Sequence, residues 1–466
     1  MSSPVVSTWR SPRTHPGRAS GTGARWALAA ALLGFFVITL DALIVNVALP
    51  EIGRDFDSGI TGLQWVVDGY TLLFAALLLS AGSVTDRIGA RQAFGAGLIV
   101  FTAASAACGF APNLGVLVIA RLVQGAGAAV IVPASLALIR EAFPDSARRA
   151  RAISLWAMGG SVGAAAGPVL GGVLSEISWR TIFFVNLPVG LLALFLLTRT
   201  TRSPRRADTP FDWTGQIAAV AAMGGLTYAA IEAGAVGLTA PRVLVALLGA
   251  VAAGAVFLIA QARGRHPMVP LQLLRERTMA ISASIGFALN VGFYGMIFLL
   301  SLYLQQEHGL SPLATGLAFL PMTLLTAFVS PTAAWCARTF GPRMPVITGQ
   351  LVMATGLVLL CVPRASAPTW LTVMLMIPVG TGGGLAIPAV TSQLLDRVPA
   401  ERAGTASGVL NTARQVGGAL AVAVFGALAT QHATFLHGLR TSLLTAACLL
   451  LLTTAAGLLL RPAPQQ

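Results

Sequence analysis

The stretch "GGSVGAAAGPVLGG", Gly159 to Gly172, holds six glycines and one proline in fourteen residues, with long apolar runs on both sides. In water a helix would not tolerate it, since each glycine costs about 1 kcal/mol and an interior proline about 3 kcal/mol. In lipid the balance changes. Hydrophobicity drives helices together only weakly there, and small residues mark the faces where they pack closely. Gly159, Gly163, Gly167 and Gly171 recur every four residues and line one helix face, while Pro168 permits a kink beside them. The segment therefore reads as a close-packed, bendable helix face inside a membrane.

Composition agrees. The chain has 466 residues, 56% of them hydrophobic and 10% charged, whereas a soluble domain carries about 25% charged residues. A polytopic membrane protein is expected. All 30 basic residues are arginine, set against 16 acids, and they lie between apolar runs rather than in one block, which argues against nucleic acid as a partner. Cys108, Cys336, Cys361 and Cys448 sit singly within apolar runs and form neither a disulfide frame nor a zinc motif. Residues 1–25 are polar, basic and rich in Pro and Gly, and are expected to form a disordered cytoplasmic tail. They are not a signal peptide, because the following apolar run is span-length and carries Asp41.

A crossing helix needs about 20 apolar residues. Runs of that kind predict fourteen spans, near 26–48, 63–82, 92–110, 114–138, 152–174, 181–198, 214–233, 243–262, 279–304, 312–335, 344–362, 369–393, 405–430 and 440–460. With the N-terminus inside, 23 arginines fall on the cytoplasmic side and 5 on the other, leaving Arg121 and Arg414 within spans. That asymmetry is a positive-inside signal, and a missed span would scramble it. Trp26, Trp65, Trp179, Trp213, Trp335 and Trp370 fall at span ends, where aromatic belts sit.

The chain also repeats itself. "QGAGAAVIVPA" (Gln124–Ala134) matches "VGTGGGLAIPA" (Val379–Ala389) 255 residues later, and "DRIGAR" (Asp86–Arg91) matches "RTFGPR" (Arg338–Arg343) at an offset of 252. Two matches at nearly one offset imply two related six-span halves, 26–198 and 263–460. Residues 199–262 then form a linker and two inserted spans, and residues 461–466 a cytoplasmic tail. Repeated halves with a site between them are the architecture of secondary transporters.

These stretches resemble the major facilitator superfamily, and within it the fourteen-span drug:proton antiporters. "LDALIVNVALP" (Leu40–Pro50) is similar to the first-span signature. "GSVTDRIGARQ" (Gly82–Gln92) is similar to the loop motif between spans 2 and 3, and "RLVQGAGAA" (Arg121–Ala129) to the span-4 arginine motif. Gly159–Gly172 resembles the antiporter motif of span 5, with Gly159, Gly163, Gly167, Pro168, Gly171 and Gly172 as its marked positions. "WRTIFFVNLPVG" (Trp179–Gly190) and "NTARQVGGA" (Asn411–Ala419) are typical of the fourteen-span branch, and "WVVDGYTL" (Trp65–Leu72) resembles the methylenomycin-resistance exporters. The resemblance implies an all-α major facilitator fold and a span 5 that works at the moving junction between halves. An ordinary tight helix pair is the alternative.

In the loop motif Gly82, Asp86, Arg87, Gly89 and Arg91 lie at a short cytoplasmic turn. A carboxylate there could cap a helix N-terminus of the other half and latch one conformation. Plain topology would account for Arg87 and Arg91 but not for Asp86. The second copy has Arg338 in place of Asp86, so any latch would be one-sided.

Acids within the spans are the candidates for chemistry. Asp41 in span 1 and Asp68 in span 2 lie deepest, and an Asp at the bilayer centre costs roughly 2.5–3.5 kcal/mol, which makes function the default reading. Asp41 and Asp68 are expected to carry protons, with Arg121 setting their charge balance. Asp41 could instead make a structural hydrogen bond to Asn46 or a neighbouring span. Asp68 could bind a cationic substrate or line the outer vestibule, and Arg121 could serve a structural ion pair. Gln124, Asn411, Arg414 and Gln415 are secondary candidates; Arg414 would be the counterpart of Arg121, with no acid in spans 9–14 to partner it. Glu232, at the outer end of span 7, is a weaker candidate and equally a solvated helix end.

No nucleophile–base constellation, metal-ligand cluster or phosphate loop stands out, and "GTGGG" (Gly380–Gly384) lacks the Lys-Ser/Thr of a Walker motif. The expectation is not an enzyme. It is an exporter of drugs or antibiotics from a bacterial plasma membrane, monomeric, using protons as coupling ion and no cofactor. A proton-coupled importer or dedicated metabolite exporter of the same fold is one alternative, and a non-transporting sensor or scaffold is another.

Overall fold

A computed structural model describes residues 21–201, 203, 211–264, 267–269, 271–362, 367–398, 403–431 and 435–458. All regular structure among the described residues is helical. In chain order the helices are α1 (Gly21–Asp55), α2 (Ile60–Ile88), α3 (Ala90–Gly109), α4 (Leu114–Ala142), α5 (Ser146–Ser175), α6 (Thr181–Phe184), α7 (Asn186–Thr198), α8 (Trp213–Val236), α9 (Pro241–Arg263) and α10 (Leu271–Arg275). There follow α11 (Arg277–Leu302), prolonged by a π-helical turn at Tyr303–Glu307, then α12 (Pro312–Phe340), α13 (Met344–Leu359), α14 (Thr369–Leu395), α15 (Ala403–Gln431) and α16 (Phe435–Leu458).

Thirteen segments, with α6 and α7 together counting as one (Thr181–Thr198), are long and apolar enough to cross a membrane among the described residues. The expected span 344–362 is the shorter apolar helix α13, of 16 residues. Local chemistry sets many ends. Asn113, Asp145, Asp212 and Ser311 each accept a backbone N–H three residues on, at 3.0, 2.9, 2.8 and 3.2 Å, satisfying one orphan donor at the start of α4, α5, α8 and α12.

One expectation needs correction. Residues 21–25 are not tail but the first turns of α1, because a helix nucleated by the apolar run extends cheaply by one hydrogen bond per residue; residues 1–20 and 459–466 lie outside the described residues. The expected span 181–198 is present as one apolar segment, Thr181–Thr198, interrupted only by a turn at Val185 between α6 and α7. Pro188 explains the break: its ring has no N–H and crowds the carbonyl four residues back, at Phe184, where α6 ends.

The sequence repeat is a repeat of packing. Gly125 of α4 faces the backbone of Tyr70 on α2, and Gly380 of α14 faces that of Met322 on α12. A Cβ on Gly127 would stand 3.0 Å from the Gly97 carbonyl of α3, and Gly382 of α14 meets the Gly349 carbonyl of α13 in the same way. Tyr70 and Met322, like Gly97 and Gly349, are 252 positions apart. Each half thus builds the same helix triplet by letting backbones touch.

The α5 glycines do something other than expected. A Cβ on Gly163 would stand 2.5 Å from the Phe36 carbonyl, one on Gly167 would meet Leu43 at 2.9 Å, and one on Gly171 the Ile44 carbonyl at 2.7 Å. The stripe therefore faces α1, within the first half. The junction with the second half is made by its neighbours: Gly172 abuts Pro312 and Leu313 of α12, and Gly316 of α12 abuts the Pro168 carbonyl. Pro168 thus offers its carbonyl as the surface on which α12 rests.

Contacts between halves gather at the end of the bundle carrying the α1–α2 turn, termed the Asp55 end. Ser301 donates to the Asn46 carbonyl at 2.5 Å, Gln305 to that of Val47 at 2.8 Å, and Gln64 to those of Val422 and Ala423 at 2.9 and 2.5 Å. At the opposite, Gly89 end, Leu155 and Met158 of α5 and Phe328 and Trp335 of α12 are exposed. The described close contacts between α5 and α12, Gly172 on Pro312 and Gly316 on Pro168, lie toward the Asp55 end.

Of the inserted pair, α8 packs on α2 and α15 and so touches both halves, while α9 packs mainly on α8. Gln216 of α8 donates to the Ala76 carbonyl at 3.0 Å and accepts from Ser80, and Thr430 of α15 donates to the Gly234 carbonyl at 3.2 Å.

Gly163→Val is expected to destabilise the purified protein by about 2 kcal/mol or more, because the α1 backbone must retreat. Gly82→Ala is expected to be neutral or stabilising by up to about 1 kcal/mol, since a Cβ there meets nothing within 4 Å. Thermal unfolding in detergent checks both, and equal midpoints for the two variants would contradict the packing described.

Candidate functional site: a buried ion pair

Asp41, on α1, is 0% exposed, and Arg121, on α4, is 1% exposed. Arg121 Nη1 donates to Asp41 Oδ2 at 2.5 Å and to Gln124 Oε1 at 2.8 Å, and its Nε donates to the Val66 carbonyl of α2 at 3.1 Å. Its guanidinium lies 4.4 Å from the centroid of the Tyr70 ring. The other carboxylate oxygen, Oδ1, accepts from Gln124 Nε2 at 2.9 Å and from Asn186 Nδ2 at 2.7 Å. Asn186 also reaches Ser105 Oγ at 3.0 Å, and Ser105 donates to the Phe183 carbonyl at 2.8 Å. Five helices, α1, α2, α3, α4 and α7, meet around one carboxylate.

Small residues allow this convergence. Arg121 and Gln124 are three apart and so share a face of α4. Gly125 lets α4 touch the Tyr70 backbone, and a Cβ on Gly69 would stand 3.5 Å from Arg121 Cβ, so α2 can pass beside the arginine stem. The break before α7 places Asn186 at a helix start with its side chain toward Asp41.

The arrangement has one chemical consequence. Both oxygens of Asp41 are occupied, one by a cation and one by two amides. A proton on Asp41 would remove the negative charge that faces the Arg121 guanidinium. Loss of that charge would weaken the α1–α4 ion pair and leave a net positive charge in a site buried from water.

Asp68 stands apart. It is 0% exposed; Thr71 Oγ1 lies 3.4 Å from its Oδ1, and Oδ2 has no hydrogen-bond partner among the described residues. Asn46 does not bond Asp41: its Nδ2 turns back to the Ala42 and Leu43 carbonyls at 3.2 and 3.4 Å. In the loop motif Asp86 and Arg87 are exposed, and Asp86 caps no helix of the other half among the described residues. Gly89 has φ +93°, a conformation that favours glycine. Arg91 caps the C-terminus of α7, its Nε 3.2 Å from the Leu197 carbonyl, where a cation suits both the orphan carbonyl and the helix dipole. Glu232 pairs with Arg242 at 2.9 Å across α8 and α9. In the second half Arg414 bonds Asn290 Oδ1 at 3.4 Å and Asn411 Oδ1 at 3.2 Å, and Gln415 is half-buried beside it.

Sequence reasoning passed over Asn186, Ser105 and Tyr70. Asn186 carried a usable signal, since an asparagine inside an apolar span next to a proline marks a helix break with a polar group to place.

Breaking a buried pair from one side costs about 3–5 kcal/mol. Asp41→Asn is expected to lower the unfolding midpoint sharply, and adding Arg121→Gln should recover part of the loss by removing the orphaned cation. Independent, additive losses would show that the two residues do not act as a pair.

The Major Facilitator Superfamily profile matches residues 31–422. The multidrug resistance protein Stp of Mycobacterium tuberculosis is 39% identical over 398 residues, covering 85% of this chain and 74% of its own. The methylenomycin A resistance protein of Streptomyces coelicolor is 35% identical, covering 88% and 87%, and the tetracenomycin C resistance and export protein of Streptomyces glaucescens is 34% identical, covering 88% and 77%. Among solved structures, a bacterial homologue of the human lysosomal transporter Spinster, inward-facing and unoccupied, superposes with TM-score 0.67 at 19% identity over 94% of this chain and 97% of its own. A D-xylose–proton symporter gives 0.68 at 16% identity over 95% and 98%. The helix count, the duplicated packing, the intramembrane ion pair and relatives matched along most of their length agree: the chain belongs to the Major Facilitator Superfamily of membrane transporters.

Proposed function

We propose that the protein is a proton-driven exporter of small organic molecules, drugs and antibiotics among them, in the fourteen-span drug:proton antiporter branch of the superfamily. It works as a monomer by alternating access in a bacterial plasma membrane, with both termini cytoplasmic, and needs no cofactor because the proton is the coupling ion. One observation carries this reading: Asp41 is a buried carboxylate, inside a span, whose described cationic partner is Arg121. The substrate class rests on the relatives, which are named for resistance to several drugs, to methylenomycin A and to tetracenomycin C. The orientation rests on the arginine bias of 23 to 5.

With the termini inside, the Asp55 end faces out and the Gly89 end faces the cytoplasm. A proton arriving from outside at Asp41 frees Arg121, and the two helices no longer hold each other in one register. Asp68, with an unpartnered oxygen one helix away, is the second carrier. Each proton moving down 100 mV supplies about 2.3 kcal/mol, enough for roughly a fifty-fold gradient of a neutral solute.

Proteoliposomes with an imposed pH gradient and an entrapped pH dye test this. Ethidium or methylenomycin A should accelerate proton movement several-fold in wild type, and an Asp41→Asn, Asp68→Asn double variant should fall to the empty-vesicle rate. A wild type indifferent to a broad drug panel would sink the drug-exporter reading; a double variant that still couples would make both aspartates structural.

A further inference from the structure

One arginine of the second half lies deep within a span with no acid among its described partners. Residues 264–466 contain four acids: Glu276, Glu307 and Asp396 lie at helix ends, and Glu401 precedes the start of α15. Arg414 lies well inside α15. In the first half Asp41 is held by Arg121, and Asp68 has Thr71 as its neighbour. The described partners of Arg414 are two neutral oxygens, Asn290 Oδ1 at 3.4 Å from Nε and Asn411 Oδ1 at 3.2 Å from Nη1, both at or beyond the long end of the hydrogen-bond range. A guanidinium has five N–H groups. These bonds fix the plane of the fork and leave Nη2 open.

The surroundings differ from those of Arg121. Arg414 is half-buried, as are its neighbours from Asn411 to Val416. Since α15 packs on α2 of the first half as well as on α8, α11 and α16, Arg414 lies on a helix at the seam between the halves. Gly286 of α11 makes room for the stem: a Cβ there would stand 2.9 Å from Arg414 Cγ. One turn along α15, Gly418 accommodates the ring of Tyr294, which supplies a flat wall beside the charge. The amide nitrogens of Asn290 and Asn411 donate no described hydrogen bond and sit next to the same fork.

We propose that Arg414, oriented by Asn290 and Asn411, forms a subsite that receives the anionic group of the transported molecule, so that acidic organic compounds belong to the substrate range. This rests on the exporter reading above and refines it. A carboxylate, sulfonate or phenolate bridging Nη2 and the asparagine amides completes a charge-assisted set of bonds that no acid of the second half supplies.

Fluorescein and rhodamine 123 share a xanthene core and carry opposite charge, so their binding to the purified full-length protein, read by fluorescence anisotropy, isolates the charge. Arg414→Gln is expected to weaken fluorescein binding about tenfold or more, with rhodamine 123 binding and the unfolding midpoint unchanged. Arg414→Lys should restore part of the fluorescein affinity, because it keeps the charge but not the planar fork. Equal fluorescein affinity in wild type and Arg414→Gln, no fluorescein binding by wild type, or equal loss of both dyes overturns the subsite. Transport in proteoliposomes then separates the two claims. Arg414-dependent binding without proton-linked export keeps the subsite and sinks the exporter. Export of rhodamine 123 alongside fluorescein binding indifferent to position 414 does the reverse.

Discussion

Inside a bilayer a leucine gains little by leaving lipid for another helix, so a bundle of apolar helices must be held by something shorter in range. In this protein that is direct backbone approach. Gly163, Gly167 and Gly171 set α5 on the α1 backbone, and Gly125, Gly127, Gly380 and Gly382 set the matching triplets of the two halves. A methyl at any of these points would meet a carbonyl, an amide or a packed side chain. The same residues that weaken a helix in water are the ones that give this one its neighbours.

The polar centre depends on that approach. Arg121 reaches the Val66 carbonyl and the Tyr70 ring only because α2 and α4 touch at Gly69 and Gly125. Asn186 reaches Asp41 only because Pro188 ends α6 where it does. A charge pair in a dry interior is a demanding object: leaving one member alone costs more than the pair itself contributes. Its presence at a five-helix meeting point ties the relative position of those helices to one ion pair.

Much of this could be read from the residues. The spans and the duplication followed from apolar run length and from glycine and proline at a fixed offset, because both are one-dimensional signals. Asp41 and Arg121 stood out because charge inside an apolar run is conspicuous. What faces what was harder. A helix apolar on every side has no polar face to orient it, so the glycine stripe of α5 pointed as well to the other half as to α1, and the structure places it on α1. Asp86 pointed toward a latch because its carboxylate was unexplained, yet it is exposed, and Arg91 holds the nearby helix end instead. Asn186 went unnoticed because its meaning depends on a helix break at a single residue, Val185.

The placement of α8 gives the two sides of the molecule unequal walls. Where α2 meets α15, α8 lies across the seam and α9 lies outside α8. Where α5 meets α12, no further helix is packed over the joint among the described residues. One seam between the halves is buttressed and the other is bare, so the inserted pair stiffens the bundle on a single side.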